Sequence, residues 1–271
     1  MQCVQCGSYH LGKAGRDREG HQRHRCSTCG RRQTKRSTSA FAGYRFPDAI
    51  IALAVRWYLY FRLPYADVAE LLAERGIYVD ASTIFDWVQR FTPLYQGVAR
   101  PHRHRPRGKW SIDETYVKVA GVPCYVFRAI DELGQVIDVY VSPRRDTEAE
   151  TRFLTQAMER TDCRPHTVTT DKAAIYPPAL AIVLPEASHI TGKAAQQAIE
   201  RDHQHLKGRY RPMRGFKMRH CAQTVCAGHG FVRNLREGFY RLGIVPGDPR
   251  VRRAPRLMLA WDELTQQLQA A

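Results

Sequence analysis

The chain has 271 residues, 44% of them hydrophobic and 25% charged, with a formal charge of +16 at neutral pH. That length can bury a full core with room for two or three domains, and the cationic surplus favours a polyanionic partner, nucleic acid ahead of an anionic membrane, over a neutral small molecule. The opening MQCVQCGSYH lacks the apolar core of a signal peptide, and the longest apolar run, AIIALAV at 49–55, is far too short to span a membrane, so a cytoplasmic protein without a membrane partner is expected.

Four of the eight cysteines lie at the start, as Cys3-x-x-Cys6 and, nineteen residues on, Cys26-x-x-Cys29. Each pair offers two sulfurs on one tight knuckle, and Gly7 and Gly30 follow to allow the turn. In a reducing compartment this spacing predicts a structural Zn²⁺ held by four thiolates in a zinc ribbon over residues 1–36, with disulfides as the rival reading. Arg16, Arg18, Arg23, Arg25 and the run RRQTKR are equally consistent with contacts to phosphate and with solvated decoration. Cys124, Cys163, Cys221 and Cys226 lack ligand spacing and read as small buried hydrophobes.

From Pro47 the apolar period becomes helical, with Ile50, Ala54, Trp57, Tyr58 and Phe61 on one face. A second helix follows Pro64, carries Val68, Leu71 and Leu72, and ends at Gly76; a third, capped by Asp80, carries Ile84, Trp87, Val88 and Phe91 and stops before Pro93. Residues 45–97 therefore form either a helix-turn-helix DNA-binding domain or an ordinary helical packing unit. In the first case Ser82, Thr83, Asp86, Gln89 and Arg90, off the apolar stripe, face DNA. Residues 98–108 include most of RPHRHRPRGK, which has five basic residues, two His and no acid, and read as an exposed basic linker.

From Trp110 the period shifts toward two. WSIDETYVKV, VPCYVFRAID and QVIDVYVS predict an antiparallel three-stranded meander turned at Gly121 and Gly134. A helix over DTEAETRFLTQAMERT, a strand at HTVTTDK, a small helix or loop after Pro177 and Pro178, and a helix over KAAQQAIERDHQHLKGRY complete an α/β mixed sheet with flanking helices over residues 109–240. The tail, residues 241–271, ends in LMLAWDELTQQLQA, an amphipathic segment for pairing or for packing.

Residues 111–200 hold 13 of the 26 acids against 9 Lys and Arg, an acidic island in a basic chain. Asp113 interrupts the first strand, Asp171 ends a later one, and Glu200 shares a helix face with Gln196, His203 and Lys207. Two carboxylates about 5 Å apart at an effective dielectric near 20 repel by about 3 kcal/mol, so their convergence demands a proton or a cation. Oxygen ligands without His pairs suit Mg²⁺ or Mn²⁺, and two such ions suit phosphoryl transfer.

The motifs WSIDETYVKVAG, YVFRAID, VSPRRDTEAETRFL, VTTDKAAIYPPAL, AIERDHQHLKGRYRPMRGFK and FVRNLREGFY resemble, in order, the insertion sequence 6 family of DDE transposases. The resemblance implies a ribonuclease H-like catalytic fold with Asp113, Asp171 and Glu200 as catalytic ligands of two Mg²⁺ (or Mn²⁺) ions, and Lys207 as a contact to DNA phosphate. It implies metal-dependent cleavage at transposon ends, attack of the freed 3′-hydroxyl on target DNA, and no covalent protein intermediate. Double-stranded DNA, as transposon end and target, is the expected partner, and holding two ends calls for a homodimer or higher assembly. Arg209, Arg211, Arg214, Lys217 and Arg219 extend a basic track after Lys207. The chain departs from the family pattern in having only 28 residues between Asp171 and Glu200 and Gln196-Gln197 where paired Asn is usual. Glu186 is set aside as third ligand because LPEAS reads as a loop. The competing readings are a zinc-ribbon and helix-turn-helix regulator without catalysis, a ribonuclease H-like nuclease that cuts but does not join, and, from thirteen Tyr and the His102-x-x-Arg105 spacing, a tyrosine recombinase.

Overall fold

A computed structural model describes residues 1–17, 20–192, 197–213, 215–244 and 253–270. Gln196, Arg214 and Arg18 of the sequence expectations lie outside the described residues.

The N-terminal sheet is a small antiparallel ribbon of β1 (Leu11–Arg16), β2 (Gln22–Cys26) and β3 (Arg32–Gln33). Among its described residues only Cys3, Cys26 and Gln33 are buried, too little apolar surface to fold without a staple.

Three helices follow: α1 (Asp48–Phe61), α2 (Tyr65–Ala73) and α3 (Ala81–Ala99). The buried face of α1 is Ile51, Val55, Tyr58 and Leu59, so the expected stripe is rotated: Ile50 and Trp57 are half-buried and Phe61 is 54% exposed. The third helix does not stop before Pro93; it runs through it to Ala99. A proline inside a helix costs roughly 3 kcal/mol, and the burial of Tyr95 and Ala99 offsets it. The Tyr95 ring stacks on Trp261 at 4.2 Å between centroids, and its hydroxyl lies 2.8 Å from that of Thr265.

The second sheet has the order β6-β5-β4-β7-β8, built from β4 (Lys109–Val119), β5 (Val122–Asp131), β6 (Val136–Ser142), β7 (Thr167–Thr170) and β8 (Ser188–Thr191). The first three pair antiparallel; β7 and β8 add in parallel. This strand order, with three antiparallel strands and two added in parallel, is the one expected of a ribonuclease H-like sheet. Ala120 and Gly121, both at positive φ (49° and 82°), form the two-residue turn between β4 and β5. Side chains of β4 alternate as a strand requires, Trp110 and Ile112 entering one core, Val117 and Val119 the other. The final parallel strand, β8, was not anticipated because SHIT is too short and polar to carry a strand pattern.

On one face lie α4 (Thr147–Thr161), whose N-cap Asp146 accepts a bond of 2.9 Å from the Ala149 N–H, and α5 (Tyr176–Val183). On the other lie α6 (Gln197–Tyr210) and α7 (Arg219–Glu237), and that core is continuous with α1–α3 and with α8 (Arg253–Ala270). The C-terminal helix is thus a packing element: Leu257, Trp261, Leu264 and Leu268 are buried, and the Trp261 indole donates to Ala52 O at 3.0 Å.

Helix α7 is wedged between the sheet and the helical layer. A Cβ at Gly228 would lie 2.7 Å from the Thr92 methyl, and one at Gly230 would lie 3.0 Å from Val136 Cγ1. Asn234 bonds both the N–H and the C=O of Val136 (2.9 and 2.8 Å), and Gln223 bonds Val141 N–H and Val139 O (2.7 and 2.8 Å). These amides satisfy the open edge of β6 and protect it from pairing with other chains.

The basic segment after α3 is not a free tether. Arg103 donates to Gln135 Oε1 (2.7 Å), Val136 O (2.6 Å) and Ile137 O (3.0 Å), and Pro106 is buried. Its charges serve partly as caps for the sheet edge, a role that composition does not disclose.

Candidate active site

Asp113 lies on the face of β4 that looks toward α6. Ser111 pairs in parallel with Thr169 of β7, and continuing that register two residues sets Asp171 beside Asp113. Asp113, Asp171 and Glu114 each have a carboxylate oxygen within 4.8 Å of the others. Burial, then the charge of Glu114, push the Asp113 carboxyl up to about 7, with Asp171 and Glu200 adding to the shift. An acid so destabilised as an anion is what a divalent cation relieves, and an all-oxygen donor set fits Mg²⁺ or Mn²⁺. The residues present fit such an ion.

Glu114 points to the opposite face of the strand, and its carboxylate is already engaged. The Tyr176 hydroxyl donates to one oxygen and the Arg145 guanidinium to the other, and the same guanidinium lies 3.8 Å from Asp171 Oδ2. Beneath them Glu150 is fully buried, and neither of its carboxyl oxygens has a hydrogen-bond partner among the described residues. Burial, then the Glu114 charge, hold it well above the usual carboxylate range, which favours its neutral form. With the folded value raised, the stability Glu150 contributes is complete below its unfolded value of about 4.3 and is lost as pH rises toward the folded value. Glu150→Met is therefore expected to stabilise the protein by about 1–3 kcal/mol at pH 8 and by much less at pH 4, read from urea midpoints; equal gains at both would refute the assignment.

Helix α6 is pinned over the site by buried charge. Arg128, opposite Asp113 in the β4–β5 register, is fully buried and donates to Asp202, which also pairs with Arg233 of α7. Burial lowers Arg128 to about 10, still cationic at neutral pH. The next residue, His203, sets Nδ1 3.5 Å from Asp113 Oδ2, and burial, then Arg128 and Lys207, push it down to about 3, so it is a neutral contact. Glu200, one turn earlier, is exposed; its carboxylate is not part of the 4.8 Å cluster, although its charge reaches Asp113. Lys207 is half-buried on the same face.

Other predicted contacts fall differently. Arg209 is 1% exposed, with its guanidinium over the Tyr58 ring at 4.1 Å and a bond of 3.4 Å to Leu63 O, so it ties α6 to the helical layer and does not face solvent. Lys217 is exposed, next to Phe216, which bonds Lys118 O (2.7 Å) at the far end of the β4–β5 hairpin. On α3, Ser82, Asp86 and Arg90 are exposed and Thr83 half-buried, whereas both amide atoms of Gln89 are buried. The supporting residues Glu114, Arg145, Arg128, Asp202 and His203 were not singled out as site residues from sequence. One signal was present: Arg128 sits inside the apolar run YVFRAI, where a charge demands a buried partner.

At the N-terminus all four thiols lie within 4.8 Å of one another, with Cys3–Cys29 and Cys6–Cys26 at 3.5 and 3.6 Å between sulfurs. A tetrahedron of sulfurs about 2.3 Å from a zinc ion has edges of about 3.8 Å, so the set fits zinc; none of the four is in a disulfide. Each knuckle closes the same way, Gly7 N–H to Cys3 O and Gly30 N–H to Cys26 O, both at 2.9 Å, with the glycines at φ of 72° and 74°. The backbone N–H of Cys29 holds the Cys26 thiol down to about 6, with Thr28 assisting, so it is a thiolate at neutral pH.

A family model described as a DDE domain matches residues 107–239. The transposase for insertion sequence-like element IS431mec of Staphylococcus aureus strain Mu50 is 35% identical over 170 residues, 61% of this chain and 75% of the relative. The chain belongs to the insertion sequence 6 family of DDE transposases. The transposase for element IS257 in transposon Tn4003 of Staphylococcus aureus is similar to the same degree, 34% over 170 residues, covering 61% of this chain and 75% of the relative. Among solved structures, the simian T-cell lymphotropic virus intasome in complex with a PP2A regulatory subunit aligns at 13% identity with a TM-score of 0.39, over 75% of this chain and 74% of that one. This transposase is an enzyme that cleaves and transfers DNA strands. No helix among its described residues is long and apolar enough to cross a membrane.

Proposed function

We propose that Asp113, Asp171 and Glu200 hold two Mg²⁺ ions and that the transposase cuts at the ends of its element and joins the freed 3′-hydroxyl to target DNA. The observation that carries this reading is the placement of Asp113 beside Asp171, with the helix bearing Glu200 pinned above them by Arg128, Asp202 and Arg233. Metal ions held by these carboxylates would supply Lewis-acid neutralisation of the charge on the attacked phosphate. The chain's own residues position. His203 braces Asp113, and the buried ion pairs fix the register of α6, so that Glu200 and Lys207 approach the same phosphodiester from one helix face. For Glu200 to join the two aspartates its exposed side chain would have to turn inward.

The finer partner assignments follow the same exposure pattern. Ser82, Thr83 and Arg90 are proposed to read the transposon end, with Lys207 and Lys217 on phosphates; a homodimer or larger assembly holds the two ends. The four cysteines hold one structural Zn²⁺, which replaces the missing core of the ribbon. Full-length protein is expected to carry one zinc per chain by atomic absorption. Cys26→Ser is expected to lose it and expose residues 1–34 to protease while the remainder resists. Retention of zinc by that variant would exclude the ligand set.

The test of the main reading combines full-length protein, oligonucleotides carrying the short inverted repeats that flank its gene, and a supercoiled plasmid. Joined product is expected from wild type in Mg²⁺, and neither in chelator nor from Glu200→Gln. Equal joining in chelator overturns the reading. Cutting without joining would favour the nuclease, and binding without cutting the regulator.

A further inference from the structure

Glu114 and Arg145 raise a question that the carboxylate ligands do not answer. Three acids meet within 4.8 Å, Asp113, Glu114 and Asp171, and on proximity alone Glu114 is a better third metal ligand than Glu200, which lies outside that cluster. Its bonding excludes this. The Glu114 side chain is only 6% exposed, it sits on the opposite face of β4 from Asp113, and one oxygen accepts from the buried Tyr176 while the other takes Nε and Nη2 of Arg145. A carboxylate with both oxygens paired has little to offer a cation.

What the pairing achieves is an oriented guanidinium. One edge of Arg145, Nε and Nη2, is held by Glu114; Nη2 also lies 3.8 Å from Asp171, and no hydrogen bond among the described residues uses Nη1. The side chain is 40% exposed and lies beside Asp171, one of the acids that must receive a phosphate. A planar fork fixed on one side and open on the other matches two oxygens of a phosphodiester.

Building on the strand-transfer reading, we infer that Arg145 is a catalytic residue that grips the non-bridging oxygens of the attacked phosphate, and that Glu114 and Tyr176 are positioning residues that aim it. In joining, the 3′-hydroxyl oxygen forms a new P–O bond and loses its proton as the P–O3′ bond of the target strand breaks, its oxygen taking up a proton. Negative charge accumulates on the non-bridging oxygens that Arg145 faces, so the contact strengthens toward the transition state.

The experiment uses full-length wild type, Arg145→Ala, Arg145→Lys, Glu114→Gln, the Glu114→Gln/Arg145→Ala double variant and Asp113→Asn. Joining of a 3′-hydroxyl end oligonucleotide to plasmid gives kcat and KM; titration of Mn²⁺ alone, followed by the electron paramagnetic resonance of the free ion, gives metal affinity without DNA. Arg145→Ala is expected to lower kcat about 100-fold with KM changed less than threefold and Mn²⁺ affinity changed less than twofold. Glu114→Gln is expected to reproduce that pattern, the double variant to be no worse than Arg145→Ala, and Arg145→Lys to recover part of the loss. Joining by Arg145→Ala within threefold of wild type overturns the inference, making Arg145 a mere counter-ion. Loss of Mn²⁺ binding in Glu114→Gln, as in Asp113→Asn, also overturns it, making Glu114 a ligand. Wild-type protein that binds Mn²⁺ yet joins nothing would instead count against strand transfer, and the Mn²⁺ comparison of Glu114→Gln with Asp113→Asn would still decide between anchor and ligand.

Discussion

Asp113→Asn is expected to reduce strand joining by at least about 1,000-fold and, in the absence of metal, to make the protein more stable at pH 8. Both effects come from one carboxylate. Burial and the charges of Glu114, Asp171 and Glu200 raise Asp113 to about 7 in the folded chain, against about 3.9 when unfolded. The folded state therefore binds this proton more tightly, and the stability linked to it is complete below about pH 4 and is lost as pH rises to about 7. Above that, metal-free wild type carries the ionised, repelling carboxylate at a cost on the order of a few kcal/mol, which the neutral amide avoids. Thermal melts at pH 4 and pH 8, with and without Mg²⁺, separate the cases. The variant is expected to match wild type at pH 4, to exceed it in chelator at pH 8, and to gain less from Mg²⁺. A variant less stable than wild type in chelator at pH 8 would show that Asp113 is structural.

Arg128→Met carries the second large effect. Arg128 and Asp202 have no exposed side-chain surface, and Arg233, at 23% exposure, is the one member of the triad that reaches solvent. Removing one partner of a buried pair leaves an under-compensated charge and costs about 3–5 kcal/mol, whereas replacing both with apolar groups is often neutral. The single variant is thus expected to shift the urea midpoint by that amount, and Arg128→Met/Asp202→Leu to recover most of it, since Arg233 can turn outward. The recovered protein is still expected to join DNA poorly, because the ion pair that sets α6, and with it Glu200, against β4 is gone. A shift below about 1 kcal/mol in the single variant would mean that the triad does not pin the helix.

Local chemistry was readable wherever neighbours in the chain supply the constraint. Two Cys-x-x-Cys pairs each close their own knuckle, and the turn at Gly121 selects a hairpin. Asp113 and Asp171 stood out because carboxylates are costly in and beside strands, and the sheet does set them side by side. The C-terminal segment was legible as amphipathic, yet nothing in its spacing distinguished a partner's surface from the chain's own. Trp261 on Tyr95 and under Ala52 decides that. The run of arginines after Lys207 looked uniform, but Arg209 points inward to Tyr58. A charged residue on a helix has two faces open to it, and only the packing partner selects one.

By itself the sequence determined the cysteine knuckles, most of the alternation of strand and helix and the motif order of the transposase family, and it singled out Asp113, Asp171 and Glu200 as candidates. Tertiary structure alone decided which charges are buried and paired, as with Arg128 and Asp202, why α3 survives Pro93, and how Glu114 holds Arg145 beside Asp171. The reason is that covalent neighbours set backbone preference within a few residues. The energy of a buried charge depends on groups 31 or 74 positions away in the chain, the separations of Arg145 from Glu114 and of Asp202 from Arg128, and those meet only when the sheet closes.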